Sequence, residues 1–121
     1  MPSRCARQAG SLFRTFSALL TAMLVGPAVA ADPDGVYQLG RKLFTESAVP
    51  ACAVCHTLKE AGAEGAIGPV LDELKPDAER VAKALRNGIG QMPSYQESLT
   101  DAEIEALAQY VATAVQSLGL R

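Results

Sequence analysis

The run Cys52-Ala53-Val54-Cys55-His56 constrains this chain more than any other feature. It puts two thiols and an imidazole on one tight turn. A disulfide between Cys52 and Cys55 would close only a tiny loop and stabilise little. A thioredoxin-like redox pair wants a βαβ context, and no convincing strand is legible. A zinc site needs two more ligands, yet His56 is the sole histidine. The use that fits all five residues is the c-type haem attachment signal. The two vinyl groups of haem lie on one edge of the ring. Each S–H can add across one vinyl double bond to give a thioether. The next residue then lies under the iron, where imidazole is a good axial ligand.

The N-terminal segment agrees with attachment outside the cytoplasm. Arg4, Arg7 and Arg14 form a basic front without acids. An apolar run from Phe16 to Val25 follows, too short for a stable membrane anchor. Gly26 and Pro27 break it, and Ala28-Val29-Ala30 fits the small-residue rule for cleavage. Residues 1–30 are therefore expected to be a cleaved signal peptide, and 31–121 the working domain, with a periplasmic location. Cys5 precedes the apolar run, so it is not a lipid-anchoring cysteine.

Removing that leader takes three cations and no acid. Eight cations then face thirteen acids, a formal charge of −5. Such a balance argues against nucleic acid and anionic membrane as partners and favours steering toward a basic patch on another protein. The chain has no Trp, three Tyr and three Phe. A domain this small and this poor in aromatics needs a staple. A bound cofactor at the cysteine pair would supply one.

The rest reads as helices separated by turns. Asp34 to about Thr45 carries Val36, Leu39, Leu43 and Phe44 at helical spacing, with Asp32 or Asp34 as cap. Gly40 in its middle costs about 1 kcal/mol against Ala, which points to close approach by another helix. Ala61 to Leu74 reads as a loop with a short helical turn. Pro76 and Asp77 start a helix bearing Val81, Ala84 and Leu85, and Asn87-Gly88 ends it. The last helix opens on a capping box, Thr100 with Glu103, and a staple of Leu99 on Ile104. Its buried stripe is Ile104, Leu107, Ala108, Val111 and Val115, and the Gly40 face of the first helix is its expected partner.

Once the leader is gone, Met92 is the sole methionine. It lies in Gly88-Ile89-Gly90-Gln91-Met92-Pro93, an irregular stretch between two helices. Methionine often serves as core filler, but there it is a poor filler and a good sixth ligand. His/Met pairing is a known c-type option that raises the potential. With both axial positions filled, no open position remains for oxygen or peroxide. That points to one-electron transfer and not to catalysis.

On these residues the chain resembles the class I c-type cytochromes over Asp34 to Leu118. The matching positions are Gly40, Phe44, Cys52 to His56, Ile67-Gly68-Pro69, Met92-Pro93, Leu107, Tyr110 and Val111. The resemblance implies an all-α cytochrome c fold, with three main helices and loops wrapped around one covalent haem c. It implies that the Pro69 carbonyl accepts the His56 ring N–H, and that Gly40 and Tyr110 sit where the first and last helices cross. The chain is shorter than mitochondrial-type members and lacks their lysine ring. Gly88 to Tyr95 is similar to haem subunits that accompany molybdenum sulfite dehydrogenases.

The expected function is that of a respiratory-chain electron carrier. It would pass electrons from a periplasmic dehydrogenase or respiratory complex to an oxidase or another cytochrome, with Ala53, Val54 and Ile89 at the docking edge. A haem subunit dedicated to one dehydrogenase is the alternative. A sensor or peroxidase, in which Met92 leaves the iron, is a third.

Overall fold

Residues 32–117 are described by the computed structural model. The expected leader and its cleavage point after Ala30 lie outside the described residues. Helix α1, Pro33–Lys42, starts with the Asp32 side chain accepting from Asp34 N at 3.2 Å, so Asp32 and not Asp34 is the cap. Pro33 occupies the first turn, where its missing N–H costs nothing. The backbone then widens into a π-helical turn, Leu43–Ser47, closed by Ala48 N donating to Leu43 O at 3.2 Å. This turn buries Leu43 and Phe44 together.

Short helix α2, Cys52–Cys55, follows. Next come two strands, β1 Thr57–Leu58 and β2 Ala63–Glu64, paired antiparallel with Thr57 opposite Glu64. The sequence shows no strand here, and the structure corrects that reading. Two residues are too few for alternation to register, and the hairpin is fixed by its turn: Gly62, at φ 65°, donates to Lys59 O at 3.1 Å. Helix α3, Leu71–Leu74, is the short turn expected before Pro76.

Helix α4, Ala78–Asn87, is capped by Asp77, whose side chain accepts from Arg80 N at 2.8 Å. Helix α5, Asp101–Ser117, starts with the reciprocal capping box: Thr100 N donates to Glu103 Oε2 at 2.9 Å and Glu103 N donates to Thr100 Oγ1 at 3.3 Å. Those bonds from Thr100 hold the Glu103 carboxyl below its ordinary range. None of the described helices is long and apolar enough to cross a membrane.

Helix α5 is the platform on which α1 and α4 both pack. Ile104, Leu107, Val111 and Val115 are each at most 3% exposed, and burying a side chain of that size stabilises by about 1.5–3 kcal/mol. Gly40 is where α1 meets α5. A Cβ there would run into the Ala106 carbonyl oxygen and the Tyr110 Cβ. Tyr110 stacks edge-on against Tyr37, ring centroids 5.0 Å apart, and lies tilted on Phe44 at 5.8 Å. Its hydroxyl donates to Glu60, which also pairs with Arg41 at 3.4 Å. The hairpin turn is thereby tied to both crossing helices.

Gly40→Ala should lower the thermal midpoint by several degrees, corresponding to roughly 1–3 kcal/mol of overpacking. At an open helix position the same change would stabilise by about 1 kcal/mol. The sign of the shift, read by circular dichroism, therefore tests the close crossing.

Burial raises all three phenols, helped by Glu60 at Tyr37 and Tyr110, and pushes Tyr95 up to about 12. Their folded values exceed the unfolded value of 10.0. The stability they contribute is thus full below that pH and is lost as pH climbs through the folded values. Ultraviolet titration should show tyrosinate forming above the ordinary phenol value and, for Tyr95 and Tyr110, only together with loss of helical circular dichroism. Ionisation near the ordinary phenol value in an intact helical protein would contradict this burial.

Candidate haem site

The turn that carries both thiols is held from below by backbone. In α2, Cys52 O accepts from His56 N at 2.9 Å, while Cys55 O accepts from Ile67 N at 3.1 Å and Gly68 N at 2.8 Å. Gly65 lies so close to this turn that a Cβ would come within 2.6 Å of His56 N and 2.7 Å of Ala53 O. Sequence reading singled out Gly68 and missed Gly65. Nothing local marks Gly65, because the strand it follows leaves no pattern in the sequence.

Cys52 is buried and Cys55 half-buried, and both are free thiols. Burial pushes the Cys52 thiol up to about 11. A zinc ligand or redox nucleophile is favoured by the opposite shift. Among the described residues, no three His, Cys, Asp or Glu side chains converge as metal-binding groups do. These surroundings favour neither a zinc ligand nor a thiolate nucleophile at Cys52.

Gly68 also sets the imidazole. A Cβ at Gly68 would stand 2.5 Å from His56 Cε1 and 2.8 Å from Nδ1, so the ring lies flat on that backbone. His56 Nδ1 is 2.9 Å from the Pro69 carbonyl oxygen. A carbonyl can only accept, so Nδ1 carries the proton and donates. The lone pair is left on Nε2, the tautomer a metal-bound histidine needs.

Met92 approaches from the other end of the chain. Ile89 N donates to Met92 O, and Met92 N to Ile89 O, both at 3.0 Å. This tight ring places Gly88 at φ 69° and Gly90 at φ 58°, left-handed conformations that glycine adopts without strain. Just beyond, Tyr95 N donates to Leu85 O at 2.7 Å and Tyr95 OH to Pro50 O at 2.7 Å. The methionine segment is thus tied to the end of α4 and to the residues before Cys52. Tyr95 carried no functional expectation in the sequence, because its partner lies 45 residues away.

Cys52, Cys55, His56, Pro69 and Met92 all line one cavity of about 640 Å³. Its walls are mostly apolar, with Phe44, Leu71, Leu85, Leu107 and Val111 among them. That volume lies within the usual range for a small-molecule or cofactor site, about 300–1,000 Å³. Two thiols on one wall, a neutral imidazole nitrogen and a thioether are the donors a covalently attached iron porphyrin would use. The residues present therefore fit the group.

With that geometry established, three similarities to known proteins bear on it. Residues 35–111 match the family described as cytochrome c oxidase, cbb3-type, subunit III. Cytochrome c6 from Bryopsis maxima is 30% identical over 87 residues, which span 64% of this chain and 90% of that protein. The solved structure of the c-type cytochrome SorU from Sinorhizobium meliloti is 57% identical. It covers 68% of this chain and 93% of its own, at a TM-score of 0.66.

Gly68→Ala should push the His56 ring off its seat and break the bond from Nδ1 to Pro69 O. Nitrogen-15 shifts of the imidazole would report the loss as a mixture of tautomers. One retained tautomer, protonated at Nδ1, would show that the glycine does not set the ring.

Proposed function

The chain belongs to the small class I c-type cytochromes, which are electron carriers with covalent haem c, and from that premise we propose how its own residues hold the cofactor and where it works. Cys52 and Cys55 would hold the haem through two thioether bonds, and His56 and Met92 would ligate its iron. Pro69 fixes the imidazole through its carbonyl. The observation that supports this reading best is the meeting of His56 and Met92 at one cavity, with the His56 tautomer already dictated by a backbone acceptor. The haem supplies reversible one-electron exchange. The protein contributes a thioether sulfur, which favours ferrous iron and raises the potential, and closely packed walls that change little when charge changes.

The chain is exported, loses residues 1–30 and works in the periplasm as a respiratory electron carrier. It takes electrons from a dehydrogenase or respiratory complex and passes them to an oxidase or another cytochrome. Val54, Ile67 and Ile89 are 60%, 71% and 71% exposed. Large apolar side chains so open to water suit a small, transient docking patch. A molybdenum sulfite dehydrogenase is the donor this reading names, supported by the resemblance in Gly88 to Tyr95.

The exported wild-type protein should begin at Ala31 and weigh one haem more than the bare chain. Met92→Ala should keep the haem but lose the sulfur-to-iron band in the near red. It should also gain carbon monoxide binding when reduced, and drop in potential by on the order of 0.1 V, within the range of about 0.8 V that axial ligands span. A colourless chain would overturn the whole reading. An unchanged band in the variant would overturn Met92 alone.

A further inference from the structure

Residues 32–117 contain four aromatic side chains, Tyr37, Phe44, Tyr95 and Tyr110. Three of them form one continuous file. Phe44 lines the cavity. Tyr110 lies behind it, fully buried, with ring centroids 5.8 Å apart. Tyr37 stands edge-on to Tyr110 at 5.0 Å and is half-buried, so it carries the file to the surface. Both spacings lie in the contact range of aromatic pairs, about 4.5–7 Å. Packing at the crossing of α1 and α5 asks for rings. It does not ask for a buried phenol hydroxyl, which is costly unless partnered.

The partner of Tyr110 is a base. Its hydroxyl donates to the Glu60 carboxylate, whose side chain is 23% exposed and stands 3.4 Å from Arg41. Burial and Glu60 raise both phenols, so neither loses its proton ahead of an electron. Tyr95 offers the contrast. It lines the cavity directly, yet its hydroxyl donates to the Pro50 carbonyl oxygen at 2.7 Å. A peptide carbonyl accepts a hydrogen bond but takes up no proton at neutral pH. A phenol that loses an electron becomes a strong acid, and if it stays protonated it is a buried cation without a partner. A base within hydrogen-bond reach removes that cost by taking the proton as the electron leaves. The tyrosine further from the cavity is therefore the oxidisable one.

We infer that Tyr110, with Glu60 as its proton acceptor and Tyr37 as its outlet, draws oxidising equivalents away from the haem to the protein surface, an assignment that rests on the haem reading above. The oxidant is a hydroperoxide that reaches the iron with Met92 detached. Hydrogen peroxide takes up two electrons and two protons as its O–O bond breaks, giving two molecules of water. Tyr110 and Tyr37 each supply one electron and one proton, and each becomes a neutral phenoxyl radical. The proton of Tyr110 crosses to Glu60, which reaches solvent. Phe44 is not oxidised and serves as the contact between cavity and Tyr110. At Tyr37 the oxidising equivalent comes within reach of reductants in solution.

The test uses holoprotein carrying Met92→Ala, which opens the sixth position, with a pyridine haemochrome spectrum of each form certifying attached haem. Hydrogen peroxide is added. Freeze-quench electron paramagnetic resonance reads the tyrosyl radical, tandem mass spectrometry locates nitroso spin-trap adducts, and absorbance follows bleaching of the haem. Adducts should fall on Tyr37 and Tyr110 and not on Tyr95. Glu60→Gln, added to this parent, keeps an oxygen that accepts from Tyr110 but removes the base. It should lose most of the radical signal and the adducts, and bleach several-fold faster. Tyr37→Phe should confine the adduct to Tyr110 and also bleach faster. Adducts on Tyr95 would overturn the assignment. So would a Glu60→Gln form with the parent's helical circular dichroism that keeps the parent's radical signal and bleaching rate. A chain without a haemochrome overturns the haem reading and this assignment together.

Discussion

One apolar-walled cavity of about 640 Å³ is what the rest of this chain, which has no tryptophan, is arranged around. Every element borders that hollow or braces something that does. Phe44 reaches it from the π-helical turn, Leu71 from α3, Val81 and Leu85 from α4, and Leu107 and Val111 from α5. The cofactor of the family is for this reason part of the core, and the helices are the shell around it.

The shell takes its rigidity from α5. One side of that helix receives α1 at Gly40, and another receives α4, whose Arg86 reaches across to Asp101 and Glu105. Those surface pairs contribute little singly, and the burial of Ala82 and Leu85 does more to seat α4. Glu60 does comparable work at the opposite end, joining the hairpin turn to Arg41 and Tyr110. The thiol-bearing turn and the methionine segment are thereby mounted on one frame, although 40 residues separate Cys52 from Met92.

Local chemistry was legible in the sequence. The capping box at Thr100 and Glu103, the glycine stop after Asn87 and the buried stripe of α5 all depend on residues within a turn or two of each other. Gly40 was legible for a different reason: a glycine in a helix carries a cost that only close packing offsets. Hidden features depend on partners far away in the chain. Tyr110 finds Glu60 across 50 residues, and Tyr95 finds Pro50 across 45. No periodicity encodes such pairs. The hairpin was missed because two residues per strand leave no pattern. Gly65 was missed because its tight fit under the thiol turn appears only once the chain has folded back. At the site, the residue types were legible, whereas the tautomer of His56 needed the position of one carbonyl.

The double anchorage of Tyr95 has an entropic consequence. Its N–H is fixed to the end of α4 and its hydroxyl to the backbone ahead of the thiols. The span from Leu85 to Tyr95 that carries Met92 is therefore a loop already closed by its own hydrogen bond. Little loop-closure entropy would remain to be lost in bringing the thioether to a bound iron, so this sulfur would compete with a free ligand at a high effective concentration.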